Sequence, residues 1–239
     1  MVSETHTHPV EFFRPSSARL VILFLTLCII LDVAALALGT AQIKLLSEID
    51  QGGAVDETEI QRNDDRQLMG WIVRRSVYWA TVVVFLVWIY KAYRNLSALG
   101  STKLRYSAAW AVGAFFVPIL QFFRPYQIIR EIWKGSDPAV EAYDESHSEE
   151  LSAPSLIGWW WVIWVAHHLT GAYANIASRD MESLSTATAG GYLTITWINF
   201  ISDILEAVSA VLAILVVKKI YERQMEKSKR LRYTIDNGA

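Results

Sequence analysis

The stretch SAAWAVGAFFVPILQFFRP, residues 107–125, decides how many times the chain crosses a membrane. It is free of acidic residues and apolar enough to enter a bilayer. A transmembrane helix needs about 20 apolar residues to cross about 30 Å of hydrocarbon, and this stretch is barely that long. The segment can therefore either span the bilayer or dip into it and return.

Local features of this stretch favour a dip. Gly113 and Pro118 weaken a continuous helix, although membrane helices tolerate both residues better than soluble helices do. Basic residues lie on both sides, with Arg105 before the segment and Arg124 after it. A dip keeps both flanks on the cytoplasmic side, where lysine and arginine are favoured. We predict a re-entrant or short membrane segment over 107–123, with a fifth full span as the alternative.

The composition indicates a multi-pass membrane protein. The chain has 239 residues, of which 53% are hydrophobic, and it contains ten tryptophans. Its mean hydropathy is +0.25, whereas soluble domains of this length are usually less apolar. Long runs almost free of charge predict an all-α integral membrane protein with four transmembrane helices, at residues 18–40, 70–92, 156–177 and 192–217. The second of these is long enough only if Arg74 and Arg75 extend to the headgroups.

The charge distribution predicts the orientation. Loops 41–69 and 135–153 are acidic, whereas 91–105 and 218–232 are basic. Basic residues favour the cytoplasmic side of short loops. We therefore expect a protein of the cell membrane with both termini in the cytoplasm. The number of basic residues on the cytoplasmic side is nearly the same for four spans as for five, so this number does not decide between the two topologies. The chain then divides into a tail over 1–17, a membrane domain over 18–217 and a basic tail over 218–239.

An amphipathic helix is predicted over 125–135. Pro125 is well placed to begin it, and Ile128, Ile129, Ile132 and Trp133 fall on one face. This pattern is typical of an interfacial helix whose apolar face enters the headgroup region.

The partners expected from the sequence are lipids and membrane proteins. The basic tail directly follows a span, so we interpret it as an anchor to anionic headgroups and not as a nucleic-acid site. Stripes of small residues allow close helix packing, so a homo- or hetero-oligomer is a further expectation. The chain has one cysteine, Cys28, and therefore no internal disulfide.

Polar residues near the middle of the spans form the candidate site. Ionisable side chains at that depth usually face the bundle interior or a water-filled cavity. Helical spacing places them beside small residues, so we expect the first and the last two spans to pack together with their polar groups at similar depth. The candidates are Asp32, His167, His168, Asn175, Asn199, Asp203 and Glu206.

Three roles are open for this cluster. It can be a satisfied polar cluster that fixes helix register, a pathway for protons or small ions, or a metal or cofactor site. Carboxylates and imidazoles suit either of the last two roles. No HExxH or cysteine-based metal spacing is present, and no particular cofactor is indicated.

One region resembles a known family. Tyr93-Arg94-Asn95-Leu96, then 104–113 (LRYSAAWAVG) and the continuation through 124–133 (RPYQIIREIW), is similar to a bacterial membrane family known as domain of unknown function 4328. Relatives often have Ser-Pro-Gly-Trp at 107–110 and Asn in place of Gln121. The motif residues are Arg94, Asn95, Arg105, Trp110, Pro118, Arg124, Pro125 and Tyr126. The family is uncharacterised, so the resemblance implies membrane architecture and no activity.

Structural roles are enough to explain the motif residues, without a catalytic function. Trp110 suits the headgroup level of a bilayer. Arg94, Asn95 and Arg105 are expected to hydrogen-bond backbone groups freed near Pro118, or lipid phosphates.

These observations favour a protein without catalytic function. No nucleophile with nearby partners and no glycine-rich phosphate loop is present. We predict a non-enzymatic membrane component or an assembly subunit. The alternative is a proton or small-ion pathway, or a metal or cofactor site, built on the candidate residues in the middle of the spans.

Overall fold

All regular secondary structure among the described residues is helical. The computed structural model describes residues 15–101, 104–139, 154–184 and 188–236, and none of these residues lies in a β-strand. The helices are α1 (Pro15–Asp50), α2 (Glu57–Ala98), α3 (Ala108–Gly113), α4 (Arg124–Gly135), α5 (Ser155–Ser183) and α6 (Ala189–Asp236). This result confirms the all-α prediction.

Within the described ranges, three helices are long and apolar enough to cross a membrane. They are Ser16–Asp50, Glu57–Ala98 and Ala189–Thr234, and they contain three of the four predicted spans. The fourth predicted span, 156–177, lies in α5, whose 29 residues correspond to about 44 Å. Helix α5 is therefore long enough, although it is not among the three helices that both length and hydropathy mark as candidate spans.

The long helices continue beyond the predicted spans. Residues 41–69 were expected to form an acidic loop, but α1 continues to Asp50 and α2 begins at Glu57. Asp56 caps α2, since its carboxylate accepts bonds from the backbone N–H of Thr58 at 3.2 Å and from its hydroxyl at 2.7 Å. The acidic loop is thus shorter than predicted because polar residues extend both helices.

Segment 107–123 does not form one continuous helix. Ser107 caps α3, which has six residues and is only about 9 Å long. Turns follow, and Ile119 adopts a positive φ of 71° before a short 3₁₀ helix at Leu120–Phe122. The segment is thus a short helix, a bend at Ile119 and a 3₁₀ turn.

Helix α4 forms where the amphipathic helix was predicted, but its surroundings differ from those expected. Ile128, Ile129 and Ile132 are fully buried, and Trp133 is buried as well. An interfacial helix would instead expose this face to lipid. The apolar face of α4 is packed against protein, so the prediction that it enters the headgroup region was wrong.

The chain forms two compact units, and each is described separately. The first unit comprises Met1–Ile22, Val83–Ile157 and Leu215–Ala239, and the second comprises Leu23–Val82 and Gly158–Ile214.

A buried hydrogen-bond network lies within the first unit. The side-chain nitrogen of Gln224 donates to the backbone oxygen of Ala92 at 2.9 Å and to Oγ of Ser136 at 3.1 Å. The Gln224 oxygen accepts from Nδ2 of Asn95 at 3.1 Å. Satisfying these buried groups joins α2, α6 and the end of α4.

Basic residues of α6 in the first unit bind the end of α4. Nζ of Lys227 donates to the backbone oxygen of Gly135 at 3.0 Å, and Arg230 donates to that of Pro138 at 3.3 Å. Arg223 pairs with Asp137 and lies over the ring of Trp133. Cations are favourable at a helix C-terminus, so these three residues of the basic tail contact protein groups. Other basic residues of this tail, among them Lys218, Lys219 and Lys229, are exposed.

Small residues allow close helix packing in the second unit. A methyl group on Gly39 would lie 3.3 Å from the ring of Phe200, and one on Gly70 would lie 3.2 Å from Leu38. Cys28 is buried and its sulfur lies 3.2 Å from Oγ1 of Thr81. The small residues Cys28 and Gly39 of α1 therefore pack closely against neighbouring helices, as small residues in membrane helices do.

Candidate functional site

Three carboxylates of the second unit meet at one guanidinium nitrogen. Nη2 of Arg74 lies 3.1 Å from Asp32, 2.7 Å from Asp203 and 2.9 Å from Glu206. We call these four residues the Arg74 cluster. Asp32 comes from α1, Arg74 from α2 and the other two from α6, where a spacing of three residues puts them on one helix face. The sequence predicted that these carboxylates would meet, and the structure brings them together.

Arg74 is the residue whose role the sequence did not reveal. It was expected to extend to the headgroups, but its side chain is only 25% exposed and binds the three carboxylates. Arg75 takes a different direction and lies over the rings of Trp71 and Tyr78, at 5.8 and 5.5 Å. One feature of the sequence could have indicated this role. The middle of the spans holds more carboxylates than basic groups, and buried charges need a partner of opposite sign, so a nearby arginine is expected to turn inward.

The two histidines border the cluster from α5. Nε2 of His167 lies 4.0 Å from Oε2 of Glu206, and its Nδ1 lies 3.0 Å from the backbone oxygen of Ser202. Nε2 of His168 lies 3.2 Å from the hydroxyl of Tyr78. All four long helices therefore contribute polar side chains to the same region of the second unit.

Aromatic rings stack along α5 towards His168. The rings of Trp161 and Trp164 are stacked with centroids 4.7 Å apart, and Trp164 lies 3.9 Å from the imidazole of His168. The backbone oxygen of Trp164 also lies 2.9 Å from Nδ1 of His168. These contacts fix the orientation of the imidazole, which leaves its Nε2 for Tyr78.

A cavity of about 910 Å³ lies in the second unit and is lined by residues of the Arg74 cluster. We call it the polar cavity. Its walls include Arg74, Asp203 and Glu206 together with both histidines. Asn175 and Asn199 also line it, so these two predicted residues lie at the cavity and outside the ion-pair network. Nδ2 of Asn175 donates to the backbone oxygen of Gly171 at 2.8 Å.

The cluster does not have the arrangement of a metal site. Among the described residues, no three side chains of His, Cys, Asp or Glu are placed to hold one ion. The position between the carboxylates of Asp32, Asp203 and Glu206 is taken by the guanidinium of Arg74. The positive charge that these carboxylates share is thus an arginine side chain.

One oxygen of the cluster has no protein partner. Asp32 is only 2% exposed and binds Arg74 through Oδ1, whereas its Oδ2 has no hydrogen-bond partner in the part of the chain that the structure describes. An unpaired buried acceptor costs about 1–3 kcal/mol, so this oxygen requires a proton or a donor from elsewhere.

The motif residues of the family resemblance lie in the first unit and mostly bind protein groups. Asn95 binds Gln224, so the expected bond to backbone near Pro118 is not the one that it makes. The backbone N–H of Arg105 donates to Glu131 at 2.7 Å, and Arg124 donates to the hydroxyl of Tyr106. These contacts are structural, and they lie within a unit different from that of the Arg74 cluster.

The remaining motif residues divide by exposure. Pro125 is buried at the start of α4, whereas Trp110 is 45% exposed.

Comparison with known proteins identifies one family. The family model for DUF4328, a domain of unknown function, matches residues 51–222. This range includes Arg74, Asp203 and Glu206 and begins after Asp32. No curated protein matches the chain, and no solved structure matches it. Since the match covers well over half of the sequence and agrees with the resemblance seen in the motif residues, the chain belongs to the DUF4328 family.

Proposed function

We propose that this chain is a non-enzymatic component of a cell membrane that crosses the bilayer four times. The three apolar helices and the length of α5 support four spans. In this arrangement both termini are cytoplasmic, and segment 107–123 enters and leaves the membrane on the cytoplasmic side.

Exposed apolar residues at the bend of segment 107–123 support the re-entrant arrangement. Phe116, Ile119 and Phe123 are 69, 72 and 61% exposed. Water disfavours such a group of large apolar side chains, whereas the hydrocarbon of a bilayer accommodates it. The basic flanks Arg105 and Arg124 then lie at the level of the headgroups.

A pair of topology reporters tests this arrangement. One is inserted after Ser101 and the other after Glu145, on the two sides of the segment. We expect both to report the cytoplasmic side. Reporters on opposite sides would overturn the re-entrant arrangement, and a matched pair before α1 and after α6 measures the two termini.

The Arg74 cluster supports a structural role for the candidate residues. One guanidinium holds carboxylates from two other helices, and breaking such a part-buried network leaves uncompensated charge. The cluster therefore fixes the register of α1, α2 and α6 within the second unit. A membrane component that assembles with itself or with other membrane proteins needs helices of defined register.

A proton or small-ion site is a second candidate function, favoured by the charges of the same cluster. Three carboxylates face one guanidinium, and Asp203 and Glu206 remain 19 and 20% exposed where they line the polar cavity. The surplus negative charge needs protons or a cation, and the cavity gives access to it.

Flux into liposomes tests the second candidate. We expect the full chain to increase proton or monovalent-cation flux, and Asp203→Asn with Glu206→Gln to abolish the increase. The control is Glu226→Gln, which removes one carboxylate from an exposed pair with Arg230 outside the cavity. Flux no greater than that of empty liposomes would overturn the pathway and leave the structural role untouched.

A further inference from the structure

The polar cavity combines surplus negative charge with space for a molecule. Its volume of about 910 Å³ is in the range of small-molecule sites and far exceeds what a single bare ion needs. Its lining is mixed and includes the carboxylates of Asp203 and Glu206 together with apolar and aromatic residues. A site with a few charged groups and large apolar surfaces is typical of sites for organic ligands.

The carboxylates of the cavity have oxygens to offer a ligand. Asp203 binds Arg74 through Oδ1 and Glu206 binds it through Oε2, so each retains a second acceptor oxygen. Both side chains are accessible, at 19 and 20% exposure. The third carboxylate, Asp32, is buried and has an oxygen without a partner among the described residues. The cluster thus has three carboxyl groups and one guanidinium.

The apolar part of the lining suits a hydrocarbon or aromatic group. The rings of Tyr78 and Trp79 meet edge to face with centroids 5.6 Å apart, and both residues line the cavity with Phe200. Such surfaces favour apolar groups through burial and also attract cations over the ring faces. A bare metal ion would use none of this surface.

We propose that the polar cavity binds a small organic cation with a primary ammonium group. The ammonium donates to the second oxygens of Asp203 and Glu206, and the apolar part packs against Phe200 and Trp79. An ammonium has three donors and no acceptor. It therefore suits the second oxygens of Asp203 and Glu206, which are acceptors that do not bind Arg74. This inference deepens the proposed ion-binding role and rests on it.

Two sources present this chemistry. One is a free amine, and the other is a phospholipid whose headgroup ends in a primary ammonium, such as phosphatidylethanolamine. The experiment has an arm for each source.

The first arm measures equilibrium binding to the full chain in nanodiscs of phosphatidylcholine. The probe is 2-phenylethylammonium, and the uncharged control of the same shape is 2-phenylethanol. We expect saturable binding of the ammonium probe and at least about tenfold weaker binding of the alcohol. Equal binding of the two probes, or no binding of the ammonium at concentrations up to about 10 mM, contradicts a free-amine source.

Variants locate the site. Asp203→Asn with Glu206→Gln should weaken binding of the ammonium at least about tenfold, and Glu226→Gln should leave it unchanged. Because the double variant removes partners of Arg74 and can impair folding, Ala172→Trp serves as a second variant. Ala172 lines the cavity and is exposed, so a tryptophan there fills the space and keeps every charge. Unchanged binding in Ala172→Trp overturns the proposal.

The second arm identifies a lipid source. The protein is purified from membranes that contain phosphatidylethanolamine and phosphatidylglycerol, and the lipids that remain bound are measured by mass spectrometry. Enrichment of phosphatidylethanolamine in wild type over Ala172→Trp supports a lipid headgroup as the ligand. If the first arm shows no ammonium binding and the second shows no enrichment of phosphatidylethanolamine, the ammonium site is wrong.

Binding and flux fail separately. A protein that binds the ammonium probe without conducting any ion retains the ligand site and loses the pathway. A protein that conducts protons and binds no ammonium in either arm retains the pathway, and the ligand site is wrong.

Discussion

Nη2 of Arg74 lies 2.7 Å from Oδ1 of Asp203, although 129 positions separate the two residues in the sequence. The same nitrogen reaches Asp32 and Glu206, so one side chain on α2 joins α1 to α6. Each of these carboxylates would otherwise be a part-buried charge without a partner.

Arg74→Gln should strongly destabilise the protein. Removing one partner from a buried ion network costs about 3–5 kcal/mol, because the remaining charges stay uncompensated. The measurement is the midpoint of unfolding in detergent, by heat or by titration with a denaturing detergent. The matched control is Arg75→Gln, whose guanidinium lies over two aromatic rings and binds none of these carboxylates.

A rescue experiment separates charge from packing. Arg74→Gln combined with Asp203→Asn and Glu206→Gln should recover much of the lost stability, since two repelling charges are gone. A triple variant no more stable than Arg74→Gln alone would show that uncompensated charge is not the cause.

Gln224→Leu should destabilise the first unit. Gln224 is 4% exposed, and its loss leaves Nδ2 of Asn95 without its acceptor and removes a second bond to the backbone oxygen of Ala92. Leaving a buried amide group unsatisfied costs about 1–3 kcal/mol. Glu222→Leu is the control, because Glu222 is exposed on the same helix. Equal unfolding midpoints for the two variants would contradict a structural network at Gln224.

Gly135→Ala and Gly158→Ala should have opposite effects. A methyl group at Gly135 would lie 3.0 and 3.2 Å from the terminal carbons of Leu96, which is fully buried. Overpacking of this kind costs about 1–3 kcal/mol. At Gly158 nothing lies within 4 Å of the added carbon, so the helix should gain about 0.5–1 kcal/mol. The test is again the unfolding midpoint, and a stabilised Gly135→Ala would mean that Leu96 can rearrange.

Cys28 should resist thiol reagents in the folded protein. It is 8% exposed, and its sulfur is close to the hydroxyl of Thr81. Since it is the single cysteine of the chain, labelling with a maleimide reports one site. We expect labelling only after denaturation, and Thr40→Cys in a Cys28→Ala background is an exposed control on the same helix. Rapid labelling of native Cys28 would contradict the packing of α1 against α2.

Acid should loosen the start of α2. The bonds from the hydroxyl and backbone N–H of Thr58 lower the pKa of Asp56 below its ordinary value. A carboxylate with a lowered pKa stabilises the folded state above its unfolded pKa, and this contribution is lost as the pH falls through the folded pKa. Hydrogen exchange at the Thr58 amide should therefore increase at low pH relative to amides in mid-helix. Asp56→Ala should show the faster exchange at all pH values.

The helices and the meeting of carboxylates could be predicted because both follow from local rules. Apolar runs predicted helices, and the cost of charge in the middle of a span predicted that Asp32, Asp203 and Glu206 would face one another. The central role of Arg74 could not be read from the same rules. An arginine near the end of a span can extend to the headgroups or turn inward, and its sequence position is the same in both cases.

The environment of α4 shows a second limit. An amphipathic helix has the same periodicity whether its apolar face meets lipid or protein, so Ile128, Ile129 and Ile132 alone do not distinguish the two. The basic tail is similar. A run of lysines and arginines predicts attraction to anionic lipid, but only the fold determines that Lys227 reaches the backbone oxygen of Gly135.

The exposed group formed by Phe116, Ile119 and Phe123 has a consequence for the bilayer itself. A segment that enters and leaves on one side adds its cross-section to one leaflet alone, whereas a spanning helix adds to both. In the proposed re-entrant arrangement this segment therefore occupies area in the cytoplasmic leaflet and none in the opposite one. Such a segment favours membranes whose curvature relieves crowding in the cytoplasmic leaflet, and the density of the protein should vary with curvature in tubules drawn from vesicles.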